Sequence, residues 1–346
     1  MRPLTFRHGF GGHGSGPPAT RATLSSTMPT GLDTEAVPGR TANTDLRDPV
    51  PLLFVGGTGR SGTHVISKIL GSHSHYRKVP NEARFHVDPG GFPDVLAGRT
   101  GPDLFAYRLR HYWWRNFEPS RLSFRGLHRY VPRRRLDAAT DAFLRRTADG
   151  EPEAACRQLF FDLLWPLATE EAKAGLIEQS CDVVAQAGPL GTLFPEARFI
   201  HVVRDGRDVA ASRVGQARWL AHPRTMRQGL EWWEARIRRI EGGIRAAGRD
   251  RVHEVSLDDL VSGNRRKYTY RKLRQFAGLR NEDAMLGYFT RRVRVRNAHA
   301  ERWRADVPAR QHAEVDAAYE EILDRLEADG VGCVSLLRRV RERRNA

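Results

Sequence analysis

Cysteine is scarce in this chain. Cys156, Cys181 and Cys333 are the only three among 346 residues. No two form a Cys-x-x-Cys pair, which argues against both a zinc site and a disulfide framework. His73 and His75 stand close enough in sequence to chelate, but no third ligand follows at a metal-binding spacing, so no metal is expected. Long apolar runs are missing as well. Nothing approaches the ~18 apolar residues of a membrane span, and the N-terminal stretch lacks the apolar core of a secretion signal. The expected location is therefore cytoplasmic. Lysine is rare too: Lys68, Lys78, Lys173, Lys267 and Lys272 are five of 57 basic residues, leaving 52 arginines. The formal net charge of +16 invites a nucleic-acid reading. Yet the arginines are scattered, and Arg133-Arg134-Arg135 reads as a solvated surface run. A polyanionic small ligand or an acidic acceptor accounts for the same field, so nucleic acid is not expected as the partner.

What is present suffices for one large domain, since 40% of the residues are hydrophobic. Residues 1–48 are the exception. Gly, Pro, Thr and Ser dominate there, no apolar period exists, and too little surface can be buried to offset chain ordering. They are expected to be a disordered tail ahead of a globular region over 49–345.

The organising stretch is residues 52–64. Leu52 to Val55 are four consecutive apolar residues bounded by glycine, the pattern of a buried parallel strand. Gly56, Gly57, Gly59 and Gly62 then permit a tight loop whose N–H groups turn inward around an anion. Val65, Ile66, Ile69 and Leu70 recur at helical spacing, so a helix N-terminus points at the same place. Gly57 and Gly62 have the separation of a Walker A loop, but Thr63 stands at its lysine position and His64 at its hydroxyl position. Arg60 is the only fixed cation in the loop. Its planar fork suits an oxyanion better than a metal-bridged triphosphate.

A second segment, 198–212, repeats the logic. Phe199 to Val203 make a strand, Arg204-Asp205-Gly206-Arg207 turns it into a helix, and Arg204 and Ser212 are placed to face the crevice at the carboxyl ends of an open sheet. Together the two segments resemble the sulfotransferase family. That resemblance implies that Gly57, Thr58, Gly59, Arg60, Ser61, Gly62, Thr63 and His64 hold the 5′-phosphosulfate of 3′-phosphoadenosine 5′-phosphosulfate. It implies further that Arg204 and Ser212 hold the 3′-phosphate.

Tyr76 to Val79 read as the next strand, ending at Pro80-Asn81-Glu82-Ala83-Arg84. A carboxylate there stands beside the nucleotide crevice. The setting is similar to that of the general base in the tyrosylprotein and several bacterial branches of the family, which assigns Glu82 as base and Arg60 as the cation meeting transition-state charge. The alternative is that Glu82 only pairs with Arg84 or caps a helix. Residues 85–174 interrupt the alternation of strands and helices and read as a helical insertion or lid. Tyr107, His111, Tyr112, Trp113 and Trp114 in it are either acceptor-pocket residues or core packing.

Gly175 to Ser180 return to the sheet. Relatives carry a Lys-Thr-Pro or Lys-Asp-Pro at the end of this strand, and Glu178-Gln179-Ser180-Cys181 stands there instead. No lysine is available to stabilise the transferring group, so either Arg60 carries the transition-state charge alone or another basic residue, for instance from the lid, supplies it. Leu230, Trp233, Ile237, Ile240 and Ile244 predict an amphipathic helix, Val252 to Leu257 a strand, and 265–276 and 313–339 further helices. Arg302-Trp303 resembles a family loop that closes over the nucleotide, implying that Arg302 touches phosphate; a surface arginine beside a packed tryptophan is the other reading.

The expected fold is a three-layer α/β/α P-loop nucleotide-binding domain with a central parallel sheet and a helical insertion. The expected activity is in-line, metal-free sulfuryl transfer to an acceptor hydroxyl or amine. Adenosine 3′,5′-bisphosphate is then the product, and a carbohydrate, lipid, phenol or peptide the acceptor. A P-loop kinase and a non-enzymatic anion- or nucleic-acid-binding module are the alternatives. The kinase would need Mg²⁺ and a carboxylate to hold it.

Overall fold

Leu52–Gly57 form strand β1, and all six residues are buried. Alternation along it explains the layers. Leu52 and Phe54 share one core with Leu176, Phe199 and Phe160, whereas Leu53 and Val55 share another with Ile66, Ile177, Ile200 and Leu273. A strand buried on both faces belongs in the middle of a parallel sheet. The computed structural model bears this out and describes residues 50–115, 126–216, 222–299 and 302–345. The expected tail, 1–48, lies outside the described residues.

Four more strands complete the sheet: β2 (Tyr76–Lys78), β3 (Gly175–Glu178), β4 (Arg198–Val203) and β5 (Val252–Ser256). Their order is β2-β3-β1-β4-β5, and every pairing is parallel. β1 sits centrally, with Leu53 opposite Ile177 on one side and Gly57 opposite Val202 on the other. Helix Thr63–Leu70 follows β1 after a five-residue loop and buries Ile66, Ile69 and Leu70. Each such apolar side chain taken fully from water contributes about 1.5–3 kcal/mol before chain entropy is charged against it.

Residues 85–174 carry the helices Arg133–Ala148 and Pro152–Leu164. Phe143, Leu159, Phe160 and Leu163 enter the same core as Phe54 and Phe199, so these helices cover one face of the sheet. Of the aromatic run, Trp113 is core and donates from Nε1 to Asp88 (3.1 Å), while Tyr107 and Tyr112 are exposed. A third core joins the helices Gly206–Val214, Met226–Ala247 and His312–Ala328. The helix expected over 313–339 is two, His312–Ala328 and Val334–Asn345. The break comes at Gly330, whose φ of 65° ends a right-handed helix at little cost. No helix among the described residues is long and apolar enough to cross a membrane.

Candidate active site

The loop after β1 is shaped by left-handed backbone at Gly59 (φ 80°), Arg60 (φ 60°) and Gly62 (φ 95°). Gly62 caps the helix Thr63–Leu70 without a side-chain bond, leaving that helix's first N–H groups toward the loop. Gly57 is needed for space. A Cβ there would lie 2.3 Å from Ser61 Oγ and 2.8 Å from the Val202 carbonyl. Ser61 is buried, and its Oγ has no hydrogen-bond partner, a donor held in reserve in a place where an unsatisfied hydroxyl costs about 1–3 kcal/mol. Thr58 and Thr63 are buried, whereas Arg60 and His64 are exposed at the rim.

β4 delivers the second segment beside this loop. Arg204 Nη1 donates to the Arg60 carbonyl (2.8 Å) and Nη2 to the His299 carbonyl, while its buried Nε has no partner. Arg60 Nε in turn donates to Ser212 Oγ (3.0 Å). Arg60, Arg204 and Ser212, placed by sequence in one site, are thus brought within one bond of one another.

Glu82 reaches the same place through Cys181. Cys181 Sγ donates to Glu82 Oε1 (3.2 Å), and a Cβ on Gly59 would lie 3.8 Å from that sulfur. Burial, reinforced by the charge of Glu82, pushes the Cys181 thiol well above its ordinary range, so it serves as a neutral donor. Arg84 pairs with Asp88 (3.1 Å).

The segment where relatives carry a lysine has another task. Glu178 is fully buried at the end of β3, 3.0 Å from His86 Nε2. Its carboxylate accepts from the N–H of Ala83 (3.1 Å) and from the N–H (3.0 and 2.9 Å) and hydroxyl (2.7 Å) of Ser180. Ser180 Oγ accepts from the Arg84 N–H (3.0 Å). Strand β3 therefore clamps the loop that presents Glu82. Lys78, nearest in the sheet, donates instead to the carbonyls of Val79 (2.8 Å) and Pro80 (3.1 Å). Burial and the charge of Lys68 bring its pKa down to about 8.

Three residues at the mouth carried no motif. Trp232 lies 3.9 Å from a Cβ built on Gly59, with the guanidinium of Arg213 4.9 Å and that of Arg236 5.4 Å from its ring centre. Arg236 pairs with Asp182 (2.7 Å). Arg213 has no carboxylate partner among the described residues, and its buried Nε is unpaired. Burial, aided by the charges of Arg236 and Arg60, lowers its pKa. The one sequence signal for Arg213 was its place next to Ser212. Arg302 pairs with Asp306 (3.0 Å), lies 3.3 Å from Nδ1 of His299, the residue whose carbonyl accepts from Arg204, and lines a cleft of about 430 Å³ with Ala211, Val214, Arg224 and Gln311. Trp303 is core. No group of three or more His, Cys, Asp or Glu among the described residues is placed to hold a metal ion.

The model of the Sulfotransferase family matches residues 51–283, a span holding the loop, Glu82, Arg204 and Ser212. The chain belongs to the sulfotransferase family. Solved structures similar to this sulfotransferase include the sulfotransferase domain of the Synechococcus PCC 7002 olefin synthase, 18% identical with a TM-score of 0.45, covering 79% of this chain and 94% of that one. A sulfotransferase from Alicyclobacillus acidocaldarius is 16% identical with a TM-score of 0.42, covering 81% and 95%. One from Mycobacterium tuberculosis is 14% identical with a TM-score of 0.42, covering 75% and 76%. At such distances no residue role transfers to this sulfotransferase, and its site rests on its own geometry.

Burial alone would raise the Glu178 carboxyl, but His86 and the N–H groups of Ser180 and Ala83 outweigh it and hold the group below the ordinary range. A carboxyl depressed in the folded state adds stability above its unfolded pKa and loses it as pH falls through the folded value. Glu178→Ala is expected to cost about 3–5 kcal/mol at pH 7 in urea unfolding, with the difference from wild type shrinking in acid. A loss that stays constant into acid would show that packing rather than charge carries the clamp.

Proposed function

We propose that this sulfotransferase takes its sulfuryl group from 3′-phosphoadenosine 5′-phosphosulfate. Loop residues 57–64 receive the 5′-phosphosulfate, Arg204 and Ser212 the 3′-phosphate, and Glu82 is the general base. The observation that carries the reading is the convergence of Arg60, Arg204 and Ser212, from segments 144 and 152 residues apart. Ser61 Oγ and Arg204 Nε, buried and unpaired, are the donors such a doubly anionic molecule would satisfy. The bound donor would supply the electrophilic sulfur and its leaving phosphate. What the protein supplies is orientation, positive charge and a proton acceptor. Arg60, a member of the loop, and Arg213 together take the place of the absent lysine; Arg213 is partly buried with no carboxylate partner among the described residues, and such a guanidinium is compensated best by an anion. Arg302, beside the cleft next to Ala211, is assigned to the outer edge of the nucleotide. Glu82 takes the acceptor's proton as the acceptor oxygen or nitrogen bonds to sulfur and the sulfur–phosphate oxygen bond breaks. Carbohydrate, lipid, phenol and peptide acceptors are all compatible with this chemistry.

The kinase alternative lacks its carboxylate. Asp205, next after the β4 arginine, is buried and bonded by Arg207 (2.6 Å) and Arg344 (2.9 Å).

Arg204→Ala should weaken adenosine 3′,5′-bisphosphate by about ten- to a hundred-fold while hardly changing adenosine 5′-phosphate, as calorimetry would measure. Equal losses for both nucleotides would remove Arg204 from the 3′-phosphate. Glu82→Gln should leave nucleotide affinity nearly unchanged and lower turnover on an identified acceptor by about 10²–10⁴-fold. Near-normal turnover in Glu82→Gln, with loss in His86→Ala or His64→Ala, would move the base to a histidine.

A further inference from the structure

Behind the 3′-phosphate site lies a buried charge cluster that neither the fold nor the chemistry so far requires. Asp205, Asp208 and Asp258 are each about 2% exposed or less. Arg344, from the helix Val334–Asn345, joins all three: Nη1 donates to Asp205 (2.9 Å), and Nη2 to Asp208 (3.0 Å) and Asp258 (2.6 Å). Arg207 is shared between Asp205 and Asp316. Among the described residues a third guanidinium reaches the cluster, that of Arg204, whose Nη2 donates to the His299 carbonyl and lies 3.8 Å from the Asp208 oxygen that Arg344 bonds. Two cations therefore compete for one carboxylate, and the shorter contact belongs to Arg344.

We propose that Arg344 is a positioning residue for the donor's 3′-phosphate: by satisfying Asp208 it leaves the guanidinium of Arg204 to the ligand. This rests on the donor assignment above. Without Arg344, Asp208 and Asp258 each lose a charged partner in a buried place, which is costly. Among the described residues Arg204 is the next cation at Asp208, and drawing it closer withdraws it from a phosphate. Burial lifts the Asp258 carboxyl above its ordinary range, Arg344 opposes that rise, and Asp205 and Asp208 add to it. Asp208 also fixes the chain near the site, because its Oδ1 accepts from the Trp303 N–H (2.9 Å). Asparagine at 208 keeps that acceptor and removes the charge, which makes Asp208→Asn the clean second-site change.

The test is calorimetry on the full chain with adenosine 3′,5′-bisphosphate and adenosine 5′-phosphate. Wild type should prefer the bisphosphate. Arg344→Met should cut that preference by about tenfold, with the monophosphate little affected, and Asp208→Asn added to Arg344→Met should restore most of it. A purely structural role would weaken both nucleotides together and would not be rescued at Asp208. Should Arg344→Met fail to fold, Arg344→Lys with and without Asp208→Asn reads the same ratio. An unchanged preference in folded Arg344→Met, or a lost preference that Asp208→Asn leaves lost, overturns the role. A wild type with no preference overturns the donor assignment and this role together, so the two failures are distinguishable.

Discussion

The parallel pairing of β1 with β4 is the constraint on which the rest depends. Gly57 lies opposite Val202, so the two strands run out of the sheet side by side. The glycine loop and Arg204 leave at the same edge, where open α/β sheets bind ligands. A slip of one residue would turn Leu53 and Val55 to the wrong face and carry the loop off Arg204. The cores on the two faces of β1 thus set the position of the glycine loop against Arg204, and packing and the proposed anion site share one register.

The same edge has to hold many charges in little water. On the ligand side guanidiniums outnumber carboxylates: Arg60, Arg204 and Arg213 face the loop, two of them with unpaired buried nitrogens. One layer deeper the carboxylates Asp205, Asp208 and Asp258 are matched by Arg207 and Arg344. This arrangement places excess positive charge where an anion can compensate it. At the end of β3, Glu178 organises the loop that presents Glu82, while Arg60 and Arg213 come from the loop after β1 and the helix after β4.

Much of this was legible from residue order alone, because it depends on local pattern. A four-residue apolar run ending in glycine marks β1, the stretch Phe199 to Val203, apolar but for His201 and ending at Arg204, marks β4, and helical spacing marks Leu230 to Ile244. The break at Gly330 was also written in the chain, but apolar periodicity on both sides of it masked the stop. What could not be read were pairings between residues 86 or more apart in the chain. Glu178 with His86, Cys181 with Glu82, and Arg344 with three aspartates involve residue types with no motif between them. Arg302 resembles a ligand residue in sequence, and what the chain order does not show is that it is held between Asp306 and His299. Trp113 looked equally suited to a pocket or a core, and only the packing around Phe105 decided for the core.

The central claim is that this crevice is built for two separate anionic groups on one adenosine. A native mass spectrum of the protein with equimolar adenosine 3′,5′-bisphosphate, adenosine 5′-phosphate and ATP tests it most directly. The account predicts that the bisphosphate complex dominates, without added metal. Predominance of ATP, or equal occupancy by the bisphosphate and the monophosphate, would contradict it.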